Sequence, residues 1–251
     1  MVPKIGLKTA NIFYEGKDKV DFEVLEITTK DPKLTFNIKK VLNIKKYLEG
    51  KDLSMHTQTS RIFSCNNYKI HSFNEAELDV LKAEIIVSKI LGIKEFIFHL
   101  KQEKLTKQEK EKLQKIFDFA EKNKVEMIYE SNQKFYSETC LDVLDSFPKL
   151  KYNLDLGHLN TAIGNKTLRM DLSEFIDNIK SRVVYVHAHN NNGIDDEHKS
   201  LEKGTLDWKF VLDKLDLSKI RKIIMEVRTT EDILNTKNLL EDYLKDKKLS
   251  K

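Results

Sequence analysis

The chain has 251 residues, of which 40% are hydrophobic and 33% are charged, so it can form a sizeable core under a well-solvated surface. Its 44 basic and 40 acidic residues give a formal net charge of +4, a mild excess that permits an anionic substrate or nucleic acid without indicating either. The two cysteines lie far apart in the sequence, which argues against a disulfide framework and favours the reducing cytoplasm. No apolar run reaches the roughly 18–20 residues of a membrane helix. We therefore expect a cytoplasmic protein with no signal peptide and no membrane partner.

Strand-like and helix-like patterns alternate along the chain. Short runs rich in Ile, Val, Phe and Tyr, typical of parallel strands buried on both faces, lie at residues 4–8, 22–27, 53–58, 95–100, 125–131, 152–157, 183–190 and 222–228. Helical periodicity between them predicts helices over residues 74–91, 106–122, 137–147, 171–180, 207–215 and 229–244. Residues 9–20 join the first two strands and are too few for a full helix, so we expect at most a single helical turn there.

Several predicted helices carry start and stop signals. The segment Ser72-Phe-Asn-Glu75 marks the start of one of them, Thr106 and Glu109 have the spacing of a capping box, and Gly92 follows a helix where a left-handed glycine belongs. Eight strands alternating with helices predict an α/β fold, a single-domain (β/α)₈ TIM barrel over residues 1–251 with a shortened first βα connection. A doubly wound open sheet lacks support because the chain has no GxGxxG or P-loop motif.

Potential metal ligands stand at or just after the ends of these strands and in one loop. Buried carboxylates and imidazoles are costly to desolvate unless a cation compensates them, and both groups are ligands of zinc and manganese. Parallel strands of a barrel present their carboxyl ends to one face. We therefore predict a metalloenzyme with candidate ligands His56, His99, Glu130, Asp155, His158, His187, Asp196, His198 and Glu226.

Two local segments carry the strongest pattern. In Asp155-Leu-Gly-His158, Gly157 is expected to allow a tight bend that lets the aspartate and the histidine face one cavity, while capping of a following segment by Asp155 is the weaker interpretation. His187 and His189 have strand parity and are expected to face the same side, with His187 as the ligand and His189 either supporting it or lying at the surface.

The remaining candidates depend on this setting. A lone histidine such as His56 or His99 is more often a core residue, and only the ring of other ligands favours metal or substrate binding by these two. Arg61 and Arg228 are candidate substrate-binding anion clamps near the strand ends, although either could be a surface charge. Trp208 is expected to pack in the core rather than stack on a substrate.

These segments resemble the xylose isomerase-like TIM-barrel superfamily, which includes sugar and sugar-phosphate isomerases and epimerases and the endonuclease IV family of abasic-site nucleases. The resemblance spans nearly the whole chain. It is carried by Tyr-Glu130-Ser-Asn, Asp155-Leu-Gly-His158, His187 with Asp196-Glu-His198, and Met-Glu226.

The resemblance implies two possible functions. In isomerase-like members, residues matching Glu130, Asp155, His187 and Glu226 hold one divalent ion, zinc or manganese, with Glu130 and Glu226 also catalysing proton transfer and His158 binding a substrate hydroxyl. In the endonuclease IV family, residues matching all nine candidates hold three zinc ions that assist phosphodiester hydrolysis.

Flanking residues favour the first function. Glu130-Ser-Asn-Gln and Asp155-Leu-Gly-His158 depart from the nuclease patterns Glu-Asn-Thr-Ala and Asp-Thr-Cys-His, and Thr59 stands where the nucleases have Tyr. The sequence therefore predicts a metal-dependent isomerase or epimerase of a sugar or sugar phosphate, with a zinc phosphodiesterase acting on abasic-site DNA as the alternative. The oligomeric state and the number of ions, from one to three, stay open.

Overall fold

The computed structural model describes residues 2–9, 22–28, 37–57, 69–70, 73–100, 104–132 and 138–249. These residues fall into two compact units, which we name the N-terminal unit, Thr9–Glu130, and the C-terminal unit, Met1–Lys8 with Ser131–Lys251. Strands and helices alternate in both units, and the strand pairings among the described residues are parallel.

The N-terminal unit places strand ends side by side. Its described elements are β2 (Val24–Thr28), α1 (Ile38–Tyr47), β3 (Asp52–His56), β4 (Lys69–Ile70), α2 (Glu75–Leu91), β5 (Glu95–Leu100), α3 (Lys107–Lys122) and β6 (Glu126–Glu130). Strand β3 pairs with β2 and β5, and β5 pairs in turn with β6 in a register that sets His99 opposite Glu130. Side chains from these strands form a buried core that includes Ile27, Met55 and Phe96.

The C-terminal unit follows the same plan. Its elements are β1 (Lys4–Thr9, through Lys8), α4 (Glu138–Ser146), β7 (Lys151–Asp155), α5 (Leu156–Gly164), α6 (Leu172–Ile179), β8 (Val183–Ala188), a 3₁₀ turn (Leu201–Lys203), α7 (Trp208–Asp213), β9 (Lys222–Met225) and α8 (Thr230–Leu249). Strand β9 pairs with β1 and β8, and β8 pairs with β7. In that last pair Asp155 stands opposite His187.

Local signals in the sequence explain the helix ends. The Asn74 side chain accepts from the backbone N–H of Glu77, and Thr106 with Glu109 forms a complete capping box. Gly92 ends α2 with φ of 79°, a left-handed conformation that favours glycine. These start and stop predictions are confirmed.

Other predictions need correction or remain outside the described residues. The pattern missed α1, the short β4 and α5, while residues 10–20 of the shortened first connection lie outside the described residues. Trp208 is buried and contacts Tyr243 edge to face with ring centroids 5.5 Å apart, which confirms its packing role. Over the described residues, no helix combines the length and apolar character needed to cross a membrane.

Candidate metal centres

In the N-terminal unit, three predicted ligands converge. His56 ends β3, Glu130 ends β6, and His99 is the penultimate residue of β5. The two imidazole Nε2 atoms lie 3.1 Å apart, and the Glu130 carboxylate oxygens lie 3.4 Å from His99 Nε2 and 3.6 Å from His56 Nε2. All three residues are at most 5% exposed. The structure thus brings together three of the predicted ligands in one buried group.

Hydrogen bonds at the other side of each ring determine which nitrogen is available. His56 Nδ1 lies 3.2 Å from the Thr57 carbonyl oxygen, and His99 Nδ1 lies 3.1 Å from the Glu130 carbonyl oxygen. Because a carbonyl oxygen only accepts, Nδ1 carries the hydrogen in both rings, and in the neutral form Nε2 keeps its electron pair. Metal-binding histidines commonly donate their second N–H in this way.

In the C-terminal unit, Asp155, His187 and Glu226 form a second group. His187 Nδ1 lies 3.5 Å from Asp155 Oδ2 and 3.1 Å from Glu226 Oε2. Asp155 ends β7, His187 lies one residue before the end of β8, and Glu226 follows β9 directly. Their ligand atoms all lie within 4.8 Å of one another, as do those of the first group.

Both carboxylates of this second group are held in the ionised form. Burial by itself raises the pKa of Asp155, but the neighbouring His158 and His189 outweigh it and leave the pKa well below its usual range. Burial likewise raises the pKa of Glu226, and Lys8 together with His187 and His198 lowers it further than burial raises it. A carboxylate that is ionised at neutral pH can bind a cation.

A third group combines Asp196 and His198, in the loop after β8, with His158 of α5. His198 Nε2 lies 3.2 Å and His158 Nε2 3.5 Å from the same oxygen, Asp196 Oδ2. Their Nδ1 atoms lie 2.9 Å from the Glu226 carbonyl oxygen and 3.1 Å from the Ser131 carbonyl oxygen. His158 and His198 therefore repeat the arrangement of His56 and His99, with the protonated nitrogen on a backbone carbonyl and the other nitrogen toward a carboxylate.

The distances fit a divalent cation in each group. With zinc–ligand bonds of about 2.1 Å, two ligands of one tetrahedral zinc ion lie roughly 3.4 Å apart. The nitrogen–oxygen distances given above run from 3.1 to 3.6 Å. Asp196 Oδ1 is buried and has no hydrogen-bond partner among the described residues, which is a further sign that the carboxylate has a partner still to accept.

One local interpretation was wrong. Asp155 is the N-cap of α5 and accepts from the backbone N–H of His158 at 2.7 Å, so it has the capping role judged weaker as well as its place in the second ligand group. Gly157 lies inside α5 and does not form a bend. A Cβ at Gly157 would lie 1.9 Å from His189 Cε1, and the glycine is needed because the imidazole occupies that space.

Three basic residues remain to be placed. Arg61 lies outside the described residues. Arg228 is exposed, and its Nη2 lies 3.5 Å from the Asp196 carbonyl oxygen. Sequence reasoning missed Lys8, whose Nζ donates to Glu226 Oε2 at 2.7 Å; its only sequence signal is its position at the end of the first predicted strand.

Comparison with known proteins places this arrangement in a family. The profile of the family described as xylose isomerase-like TIM barrel matches residues 17–246. The chain belongs to this family. The uncharacterized protein MJ1311 of Methanocaldococcus jannaschii, a relative, is 34% identical over 110 residues, which make up 43% of this chain. The chain spans about a third of the length of the curated relatives it matches.

Solved structures similar to this chain align over nearly all of its length. A D-tagatose 3-epimerase-like protein aligns with a TM-score of 0.76 and 19% identity over 98% of this chain and 99% of its own. Endonuclease IV from Thermus thermophilus aligns with a TM-score of 0.65 and 15% identity over 97% and 100%. The TTHB071 protein of the same organism, soaked with ZnCl₂, aligns with a TM-score of 0.72 and 18% identity over 96% and 97%. These likenesses confirm the (β/α)₈ TIM-barrel fold, while the single-domain boundary 1–251 stays a prediction.

Proposed function

We propose that the protein is a divalent-metal-dependent isomerase or epimerase of a sugar or sugar phosphate. The observation that carries this proposal is the group of buried Asp155 and His187 with partly exposed Glu226, which offers two ionised carboxylates and an imidazole within 4.8 Å of one another. Similarity to a D-tagatose 3-epimerase-like protein supports a sugar as the substrate class.

Proton transfer is the chemistry that these residues would perform. Glu226 would accept a proton from the carbon next to a substrate carbonyl, and its low pKa makes it a weak base. A bound divalent cation would supply the missing driving force, because polarising the substrate oxygens makes that carbon more acidic. Glu130 is predicted to act as the second acid–base carboxylate and fourth metal ligand, and His158 as a partner of a substrate hydroxyl; these roles rest on the resemblance.

Isotope exchange tests the proposal directly. The zinc- or manganese-loaded enzyme should exchange the α-proton of a ketose such as D-tagatose with deuterium from solvent, and Glu130→Gln or Glu226→Gln should each reduce that exchange by at least about 100-fold. Glu202→Gln, which changes an exposed glutamate, is the matched control and should exchange at the wild-type rate. Full exchange in both active-site variants would overturn the proposal.

A zinc phosphodiesterase is the second candidate, and one observation favours it. Beyond the four metal ligands that an isomerase would use, the structure places the imidazoles of His56 and His99 beside Glu130 and those of His158 and His198 beside Asp196. Neutralising a phosphodiester and activating water needs more than one cation in such enzymes. Similarity to endonuclease IV supports abasic-site DNA as the substrate to try.

Metal content separates the two candidates. Elemental analysis of protein purified without added metal should give about one ion per chain for the isomerase and about three zinc ions for the phosphodiesterase. Abasic-site duplex that is cleaved by the zinc-loaded protein, and left intact after chelation, would favour the second candidate. Intact duplex with all sites loaded would eliminate it.

A further inference from the structure

A ring nitrogen of His189 lies within 4.8 Å of ligand atoms of Asp196 and His198, and the ring also contacts Asp155. His189 is fully buried, and its Nε2 lies 2.9 Å from Asp155 Oδ1 and 3.1 Å from Asp155 Oδ2. An ionised carboxylate can only accept, so Nε2 must carry the hydrogen that it donates to Asp155. In His158 and His198, by contrast, Nδ1 is the donating nitrogen, and its acceptor is a backbone carbonyl oxygen. Their Nε2 atoms face the Asp196 carboxylate.

The His189 ring packs against His198 on one face and fills the space left beside Gly157. The imidazoles of His189 and His198 stack with centroids 4.3 Å apart and planes inclined by 21°. His189 Nδ1 lies 3.7 Å from Asp196 Oδ1, which is too long for a hydrogen bond. On the remaining side the missing side chain of Gly157 provides the space, since a Cβ there would overlap the ring.

We infer that His189 is a positioning residue that orients Asp155 for metal binding. Its Nε2–H fixes the carboxylate of one candidate ligand group, while its stacking on His198 ties that carboxylate to the neighbouring group. Hydrogen bonds to a metal ligand typically change metal affinity by about 10- to 100-fold. The inference rests on the proposed cation site at Asp155, His187 and Glu226 and adds a residue to it.

Zinc affinity, measured by competition with a chromophoric chelator and without any substrate, tests the inference. His189→Ala should weaken the tightest zinc site by about 10- to 100-fold. His189→Gln should restore most of that affinity, because the glutamine amide nitrogen can occupy the position of Nε2 and donate to Asp155. If His189 acted by packing alone, His189→Gln would bind zinc more weakly than His189→Ala, because glutamine places a polar group in the space left by the ring.

Gly157→Ala provides an independent variant. Alanine favours a helix more than glycine does, so a purely local effect would stabilise α5 and leave zinc binding unchanged. The inference instead expects a loss of zinc affinity similar to that of His189→Ala, because the new Cβ displaces the ring. In the His189→Ala background, where no ring remains to be displaced, Gly157→Ala should cost no further affinity.

The outcomes separate this inference from the proposed function. Unchanged zinc affinity in His189→Ala, or equal losses in the Ala and Gln variants, would overturn the role of His189 and leave the isomerase proposal standing. A wild-type protein that binds no zinc would overturn the cation site and the inference together. Failure of isotope exchange alone, with the predicted zinc affinities, would remove the proposed reaction and retain His189 as a positioning residue.

Discussion

Lys8 Nζ donates to Glu226 Oε2 across 2.7 Å, and His187 Nδ1 lies 3.1 Å from the same oxygen. A cation bound by Glu226 and His187 would need the electron pairs of that carboxylate, which the Lys8 ammonium already engages. Lys8 is 12% and Glu226 20% exposed at the side chain, so solvent screens the pair only partly. Lys8 therefore serves as the counter-ion of Glu226 and would compete with a metal ion for it.

Replacing Lys8 by methionine should affect the metal-free and metal-loaded proteins in opposite ways. Lys8→Met leaves Glu226 without its counter-ion, so the free energy of unfolding of the metal-free protein should fall by about 1–3 kcal/mol. Zinc affinity should rise by about 10-fold, because the competing positive charge is gone. Urea unfolding with and without zinc, together with a zinc titration, measures both effects.

Lys94→Met is the control for this change, since Lys94 is an exposed lysine directly before strand β5. It should alter neither quantity. An equal loss of stability in Lys8→Met with and without zinc, or an unchanged zinc affinity, would show that Lys8 does not compete with the metal.

His198 predicts how pH acts on the third ligand group. Burial lowers the pKa of His198, but the hydrogen bond to Asp196 and the charges of Glu226 and Asp155 raise it above its usual value of about 6.5 overall. The stability that this provides is fully present below about pH 6.5 and is lost as pH rises through the raised pKa. Zinc binding requires the unprotonated ring, so its dependence on pH has the opposite sign.

Urea unfolding and zinc titrations between about pH 6 and pH 9 measure how stability and zinc affinity change with pH around the pKa of His198. Wild-type protein without metal should lose stability relative to His198→Gln as pH rises, whereas its zinc affinity should increase more steeply than that of the variant. Wild type and His198→Gln with parallel slopes in both measurements would contradict the raised pKa of His198.

Much of the fold was predictable because the patterns that encode it are local. Strand β5 was predicted with its observed bounds, Glu95–Leu100, since a largely apolar run can be buried on both faces. Caps such as Asn74 and Thr106 were predictable because a short side chain satisfies backbone N–H groups two or three residues away. Helix α5 was missed because it begins directly after Asp155 with no intervening loop, and a glycine in its first turn resembles a bend.

The candidate site was predictable in composition but not in its contacts. Spacing placed His187 and His189 on the same side of the strand, and both do contact Asp155. Which ring nitrogen faces which oxygen depends on backbone carbonyls from distant parts of the chain, so the sequence could not assign ligand and supporting roles. Lys8 was not distinguishable because it is one of 44 basic residues.

Cys140 is predicted to be unreactive in the native protein. Burial raises the pKa of its thiol to about 11, with hydrogen bonds to Ser131 and Tyr152 lowering it by less. At pH 8 only about 0.1% would be thiolate, the reactive form. In a Cys65→Ser background, iodoacetamide should label Cys140 in denaturant and leave it unlabelled under native conditions. Rapid native labelling, detected by intact mass, would contradict this burial.

Asn191 fixes the loop that carries Asp196 and His198 of the third ligand group by hydrogen bonds. Its buried amide donates to the Gly157 carbonyl oxygen at 2.8 Å and to Thr161 Oγ1 at 2.9 Å. Its side-chain oxygen, Oδ1, accepts from Asn160 Nδ2 at 2.8 Å and from the backbone N–H of Gly193 at 2.9 Å. Every hydrogen-bonding position of the amide is thus used, and three of its partners, Gly157, Asn160 and Thr161, lie on α5.

Asn191→Asp keeps the shape of this side chain and replaces its donor by an acceptor. An oxygen would then face the Gly157 carbonyl oxygen, so the free energy of unfolding should fall by about 3 kcal/mol and zinc binding at Asp196 and His198 should weaken with it. Asn192→Asp is the matched control. Asn192 is exposed, and its side-chain oxygen accepts from the backbone N–H groups of Ile194 and Asp195, so aspartate should change stability by less than about 0.5 kcal/mol. Equal losses in the two variants, measured by urea unfolding, would mean that the Asn191 donor does not hold the loop.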